Sequence, residues 1–228
     1  MKYNPDIHHR RSIRLRNYDY SLPGAYFLTV CTEDRACLFG SVADDTMRLN
    51  DAGRMIEQWW FELNRKFPTV ETDEFVVMPN HCHGIVVIPV GADLRVGPGS
   101  KGARTADQGA HAGAPLPTVI QWFKTMTTND YIRGVKAASW PSFNGRLWQR
   151  NYYEHIIRDE DSLNRIRQYI VDNPARWAFD RENPAATAPE PENEWLASPI
   201  RRRRRLASLA GEPRFAAQLV LNAHPCYV

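Results

Sequence analysis

Two histidines, a tyrosine and an asparagine have types and spacings that could serve metal binding and nucleophilic chemistry. His81-Cys82-His83 opens an apolar run, and strand geometry sends alternate side chains to one face. Both imidazoles then converge while Cys82 points the other way. Two imidazoles make half a site for a divalent cation, although the same triplet also arises at a polar strand edge with satisfied histidines. The surroundings favour the first reading. Phe75-Val76-Val77-Met78, the sharp Pro79-Asn80 entry and the apolar residues that follow set both histidines in the middle of a sheet, where unpaired imidazoles are costly to bury.

Further along, Arg165, Tyr169 and Asn173 are spaced by four and form one row on a helix, beside an apolar stripe of Leu163, Ile166 and Ile170. A tyrosine at such a border is ordinarily a packing residue with a hydrogen-bonded hydroxyl. As a nucleophile it needs a metal or a cation, because a phenol ionises near pH ~10. Tyr152 and Tyr153 compete for that role. His155 lies in the same stretch and reads first as a structural histidine on a strand, and second as one behind the site or against DNA. Cys31, Cys37, Cys82 and Cys226 show no C-x-x-C spacing, so the sequence predicts reduced thiols rather than a zinc ribbon or a disulfide framework.

The elements that must position these residues can be read from periodicity. Tyr26, Leu28 and Val30 alternate within Ala25–Thr32 as in a half-buried strand, and a short strand pair follows near Cys37–Val42 and Thr46–Leu49. Asn50 caps a helix whose apolar positions are Met55, Ile56, Trp59 and Leu63. Strands over Glu74–Met78 and His81–Ile88 come next. A second helix follows, with Val119, Trp122, Phe123 and Met126 on its apolar face and Thr118 as its cap. Leu147–Ile157 reads as another strand. The last helix opens on Asp159, Glu160 and Asp161 and ends where Asn173-Pro174 disfavours helical geometry. The order β-α-β-β-α-β plus one helix predicts an α+β, ferredoxin-like split fold with a central antiparallel sheet.

The chain has 228 residues, 43% of them hydrophobic and 24% charged, which predicts one globular domain with tails. Its boundaries read as a basic arm over 1–22, a domain over 23–177 and a linker and basic tail over 178–228. Within the domain, the stretch 91–117 holds six of the thirteen glycines and reads as a mobile loop. No apolar run approaches the roughly 18 residues of a membrane span, and Met1–Pro5 has no secretory pattern, so the expected location is the cytoplasm, with no membrane partner. Net charge is only +3, but 24 Arg stand against 5 Lys. Arginine grips phosphate bidentately, and a GC-rich coding sequence produces the same bias. Position favours a nucleic-acid partner: Arg10, Arg11, Arg14 and Arg16 crowd the N-terminus, and Arg201 to Arg205 form an unbroken run.

Met78–Ile88 (MPNHCHGIVVI), Gly24–Val30 (GAYFLTV) and Trp148–Trp177 (WQRNYYEHIIRDEDSLNRIRQYIVDNPARW) resemble the IS200-like single-tyrosine transposases, specifically the REP-associated tyrosine transposases. The likeness runs from about Arg10 to Trp177. It implies the HUH endonuclease fold, with Cys82 in the hydrophobic slot of the histidine-hydrophobe-histidine motif. Tyr169 matches the family nucleophile, and Asn173 matches the polar residue that completes a metal site with His81 and His83. The resemblance further implies Mg²⁺ or Mn²⁺ as cofactor and hairpin repeats in single-stranded DNA as partner. The implied activity is cleavage through a 5′-phosphotyrosine, with Arg165 and the arm contacting DNA. A homodimer remains open, as do two other functions: a replication-initiator or relaxase-like HUH nuclease, and a domesticated hairpin binder that moves no DNA.

Overall fold

The computed structural model describes residues 19–20, 22–89 and 114–186. Arg10, Arg11, Arg14, Arg16, the Arg201 to Arg205 run and most of the glycine-rich stretch lie outside the described residues.

In chain order the elements are β1 (Gly24–Cys31), β2 (Gly40–Ala43), β3 (Thr46–Leu49), α1 (Asp51–Lys66), β4 (Glu71–Val77), β5 (His81–Ile88), α2 (Leu116–Ala138), β6 (Tyr153–Ile157) and α3 (Glu160–Asp172). A 3₁₀ turn, Pro174–Phe179, follows α3. Four strands form one antiparallel sheet in the order β4-β5-β1-β6, while β2 and β3 make a separate hairpin. With α1 and α2 as the two crossovers, this is the α+β, ferredoxin-like split arrangement expected from the sequence.

The two central strands are apolar on both faces because each face is covered. Tyr26, Leu28 and Val30 of β1 and Cys82, Val86 and Ile88 of β5 pack under Ile56, Trp60 and Leu63 of α1 and Val119, Ile120 and Phe123 of α2. Gly84 sits beneath the Trp60 indole, where a Cβ would come within 2.4 Å of the ring, so only glycine lets helix and sheet close here. On the opposite face Ala25, Phe27, Ile85, Val87 and Ile157 meet Leu163, Ile166, Tyr169 and Ile170 of α3. A bidentate pair from Arg167 to Asp73, half-shielded from solvent, ties α3 to β4.

Asn50 caps α1 as the sequence predicts, its Oδ1 accepting from Gly53 N at 2.9 Å, and Asp159, read as the first acid of the last helix, is its N-cap, with Oδ1 accepting from Ser162 N at 2.7 Å. Thr118 is not a cap. α2 starts two residues earlier, after Pro115, with Pro117 in its first turn, where a missing N–H costs nothing. The stretch 91–117 therefore ends in helix rather than loop. Leu147–Tyr152 is not strand either. Glu33 N donates to Leu147 O and Gln149 N donates to Cys31 O, which makes one isolated antiparallel bridge between Thr32 and Trp148, and regular pairing with β1 resumes only at Tyr153. β4 begins at Glu71, three residues before the predicted start, and carries an irregularity between Thr72 and Phe75. The fold also continues past Trp177: Asp180 is buried, and Asn80 Nδ2 donates to Glu182 O at 2.7 Å. No described helix is long and apolar enough to cross a membrane.

Candidate active site

β5 delivers His81 and His83 to the α3 face and Cys82 to the core under α1 and α2, as the alternation predicts. Their Nε2 atoms lie 3.1 Å apart in a fully enclosed setting. Neighbouring groups fix each ring. Asn80 Nδ2 donates to the carbonyls of Arg35 and Glu182, so its Oδ1 faces His81 Nδ1 at 2.9 Å and accepts that proton. His81 Nε2 then carries the lone pair a metal requires. His83 Nδ1 meets Thr29 Oγ1 at 2.9 Å, across the β1–β5 pairing of Thr29 with His83. A threonine hydroxyl both donates and accepts, so it serves either tautomer of His83.

Burial pushes the His81 pKa down to about 4. The nearby Glu182 charge opposes that shift, Arg181 reinforces it, and the Asn173 carboxamide beside the ring opposes it. His83 is pushed well below the ordinary histidine value by burial first and by His81 and Arg181 next. Both rings are therefore neutral at pH 7, the form in which imidazole ligates.

Asp180 completes a three-residue cluster with them. Its Oδ1 accepts from Glu182 N at 2.7 Å, which turns Oδ2 toward His81 Nε2 at 3.5 Å. Burial raises its pKa to about 6. Three buried polar atoms in this region, Asp180 Oδ2, Asn173 Oδ1 and Tyr153 Oη, have no hydrogen-bond partner among the described residues. Two imidazole nitrogens, a carboxylate oxygen and an unused carboxamide oxygen form a donor set that fits a divalent cation.

Tyr169 projects from α3 toward this cluster and is only 6% exposed. Its ring centroid lies 5.3 Å from that of His83 and meets Phe27 edge-on at 6.0 Å. Phe27 stacks on His83 at 5.3 Å and also touches Tyr153 edge-on at 6.3 Å. Trp177 lies 6.1 Å from His81, and Arg176 holds its guanidinium over the Tyr169 ring, 5.8 Å from the centroid. Thus His81, His83, Tyr169 and Asn173 gather at one site. Arg165 does not join them: it is exposed and donates to Ser162 Oγ at 2.9 Å.

The rival tyrosines separate. Tyr152 packs into the core on the helix α1 and α2 side, whereas Tyr153 pairs with Thr29 and shares the face of His83, with the Arg181 guanidinium over its ring. His155, paired with Phe27, is partly buried on β6, and burial lowers its pKa. Sequence reasoning missed Asp180, Asn80, Thr29 and Arg176. Asn80 alone left a signal, its place immediately before the histidine pair.

No protein-family profile matches the chain. An uncharacterised Haemophilus influenzae protein is 40% identical over 185 residues, covering 79% of this chain and 96% of its own. A second H. influenzae protein, named as a REP-associated tyrosine transposase, is 23% identical over 167 residues, covering 72% of this chain and 79% of its own. Among solved structures, a REP-associated tyrosine transposase bound to a REP hairpin aligns at 21% identity and a TM-score of 0.41, covering 72% of this chain and 73% of the other.

Proposed function

We propose that the chain is a REP-associated tyrosine transposase of the IS200-like single-tyrosine type, a metal-dependent single-strand DNA endonuclease and strand transferase acting beside repeat hairpins. The observation that carries this reading is the approach of a phenol, Tyr169, to an enclosed cluster of His81, His83, Asp180 and Asn173. A bound Mg²⁺ or Mn²⁺ supplies polarisation of the phosphate and neutralises developing charge. The residues do the rest. His81 and His83, neutral and oriented from behind by Asn80 and Thr29, would present ring nitrogens to the ion. Tyr169 Oη attacks phosphorus, a new P–O bond forms, and the bond to the 3′ oxygen breaks. Solvent accepts the phenol proton and returns one to the departing 3′ hydroxyl. The 5′ phosphate stays on the tyrosine, so its bond energy is conserved for resealing by a 3′ hydroxyl without ATP.

The arm arginines Arg10, Arg11, Arg14 and Arg16, with Arg165 on the exposed face of α3, are assigned to backbone phosphates, whose contacts set position while base contacts set sequence. One alternative has an observation in its favour. The histidines and Tyr169 are almost wholly enclosed, which restricts the access a scissile phosphate needs and leaves hairpin binding without cutting as the second reading.

Covalent capture decides. Wild type is incubated with Mn²⁺ and the single-stranded hairpin repeat flanking its own gene, then run on a denaturing gel. A protein-DNA adduct that disappears in Tyr169→Phe, with hairpin affinity retained, is the expected result. An adduct that survives in Tyr169→Phe and disappears in Tyr153→Phe moves the nucleophile to β6. Hairpin binding by wild type without any adduct establishes the binding-only alternative.

A further inference from the structure

Two arginines face two tyrosines at this site, and they are not equivalent. Arg181 lies over Tyr153, but its Nε pairs with Glu182 Oε1 at 3.2 Å, so its charge is met. Arg176 lies over Tyr169 with no carboxylate within ion-pair distance among the described residues. It is half-buried, and its backbone is pinned by a hydrogen bond from its N–H to Asn173 O at 3.1 Å. Arg176 thus follows Tyr169 by seven residues and Asn173 by three, continuing their row across the end of α3. A guanidinium with no carboxylate partner among the described residues, set beside a buried aromatic ring, has gained a cation–π contact and has given up part of its hydration. Its remaining donors are free to fork onto a planar or tetrahedral oxyanion.

We propose that Arg176 is the positioning residue for the attacked phosphate: its guanidinium grips a non-bridging oxygen and holds phosphorus in line with Tyr169 Oη. The inference rests on the nuclease reading above and deepens it. Arg176 forms no bond to the reacting atoms. Its charge complements a phosphate before attack and the more negative transition state during it, which is where an oriented donor has most effect.

The test separates this contact from general DNA affinity. In the uncleaving Tyr169→Phe background, binding is measured for a hairpin whose single-stranded extension includes the scissile phosphate, and for the same DNA with a neutral methylphosphonate at that one position. With Arg176 present, neutralising the phosphate weakens binding about tenfold or more, the size of a lost charge-assisted hydrogen bond. With Arg176→Gln, the two DNAs bind alike, and affinity for the hairpin lacking an extension is unchanged. Arg176→Lys restores part of the difference, because lysine keeps the charge and loses the fork. With Tyr169 intact, Arg176→Gln slows adduct formation at saturating DNA about a hundredfold. An equal methylphosphonate penalty in both backgrounds overturns the assignment while leaving the nuclease reading untouched. A loss of affinity for the bare hairpin in Arg176→Gln overturns it too, by making Arg176 a general backbone contact. If wild type binds no hairpin, the function fails and this inference with it.

Discussion

Asn80→Ala tests whether the histidine pair depends on the group behind it. Asn80 is fully buried, and its carboxamide makes three hydrogen bonds: it accepts from His81 Nδ1 at 2.9 Å and donates to Arg35 O at 3.0 Å and Glu182 O at 2.7 Å. Removing it frees His81 to rotate or to adopt the tautomer with the proton on Nε2, where a cation must bind. Loss of such an outer partner typically weakens metal affinity about 10- to 100-fold, or about 1.4 to 2.8 kcal/mol. Stability falls as well, since two part-buried carbonyls lose a donor, at about 1 kcal/mol each. Free Mn²⁺ measured by electron paramagnetic resonance reads the first effect and a urea midpoint the second. Asn80→Asp separates them: a carboxylate still accepts from Nδ1 but cannot donate to either carbonyl, so Mn²⁺ affinity stays near wild type while the urea midpoint drops. A folded Asn80→Ala protein with unchanged Mn²⁺ affinity would refute the reasoning.

The alternation of β5 yields a second prediction. His81→Ala or His83→Ala abolishes Mn²⁺ binding, whereas Cys82→Ser, altering a core-facing side chain, leaves binding intact and lowers only the melting temperature; titration of each purified variant checks this. Gly84→Ala drives a methyl into Trp60 and destabilises by about 1–3 kcal/mol, read from denaturant unfolding, and an unchanged midpoint means that α1 shifts freely. Acidity acts with a definite sign. The depressed pKa values of His81 and His83 give stability that is present above the ordinary histidine value and lost as pH falls toward about 4. Asp180, raised to about 6, works in the opposite direction, its contribution being lost as pH rises through 6. Two histidines outweigh one carboxylate, so the metal-free protein loses stability between pH 6.5 and 4, and Asp180→Asn makes that loss steeper. Flat unfolding midpoints across this range in both proteins exclude the account.

What could be read in advance divides along physical lines. His81–Ile88 is strand over the same residues that its apolar run predicts, because a central strand buried on both faces writes its burial directly into residue type. The row of Tyr169 and Asn173 was visible for the same reason: a helix repeats, and spacing by four reports it. Asp180 left no such trace. It lies beyond Asn173-Pro174, in a stretch that reads as linker, and its place beside His81 depends on a 3₁₀ turn and on Glu182 docking against Asn80. Those contacts join residues about 100 positions apart, so no local pattern encodes them. Leu147–Tyr152 misled for a related reason. Its composition suits a strand, but its pairing is interrupted: a single antiparallel bridge joins Trp148 to Thr32, and the continuous ladder with β1 starts only at Tyr153.

The docking of Asp180 and Glu182 has a temporal consequence. Thr29, His83, Asn173 and Asp180 come from widely separated parts of the chain, and the carboxylate is the last to be synthesised. At about 5–20 residues per second on the ribosome, about 5 to 20 s pass between the appearance of His83 and that of Asp180. Throughout that interval a nascent chain holds the imidazoles without their carboxylate partner. The cluster of His81, His83 and Asp180 can thus be assembled only once residue 180 has been added, and a prematurely terminated product that stops between Tyr169 and Asp180 carries the tyrosine but lacks the carboxylate.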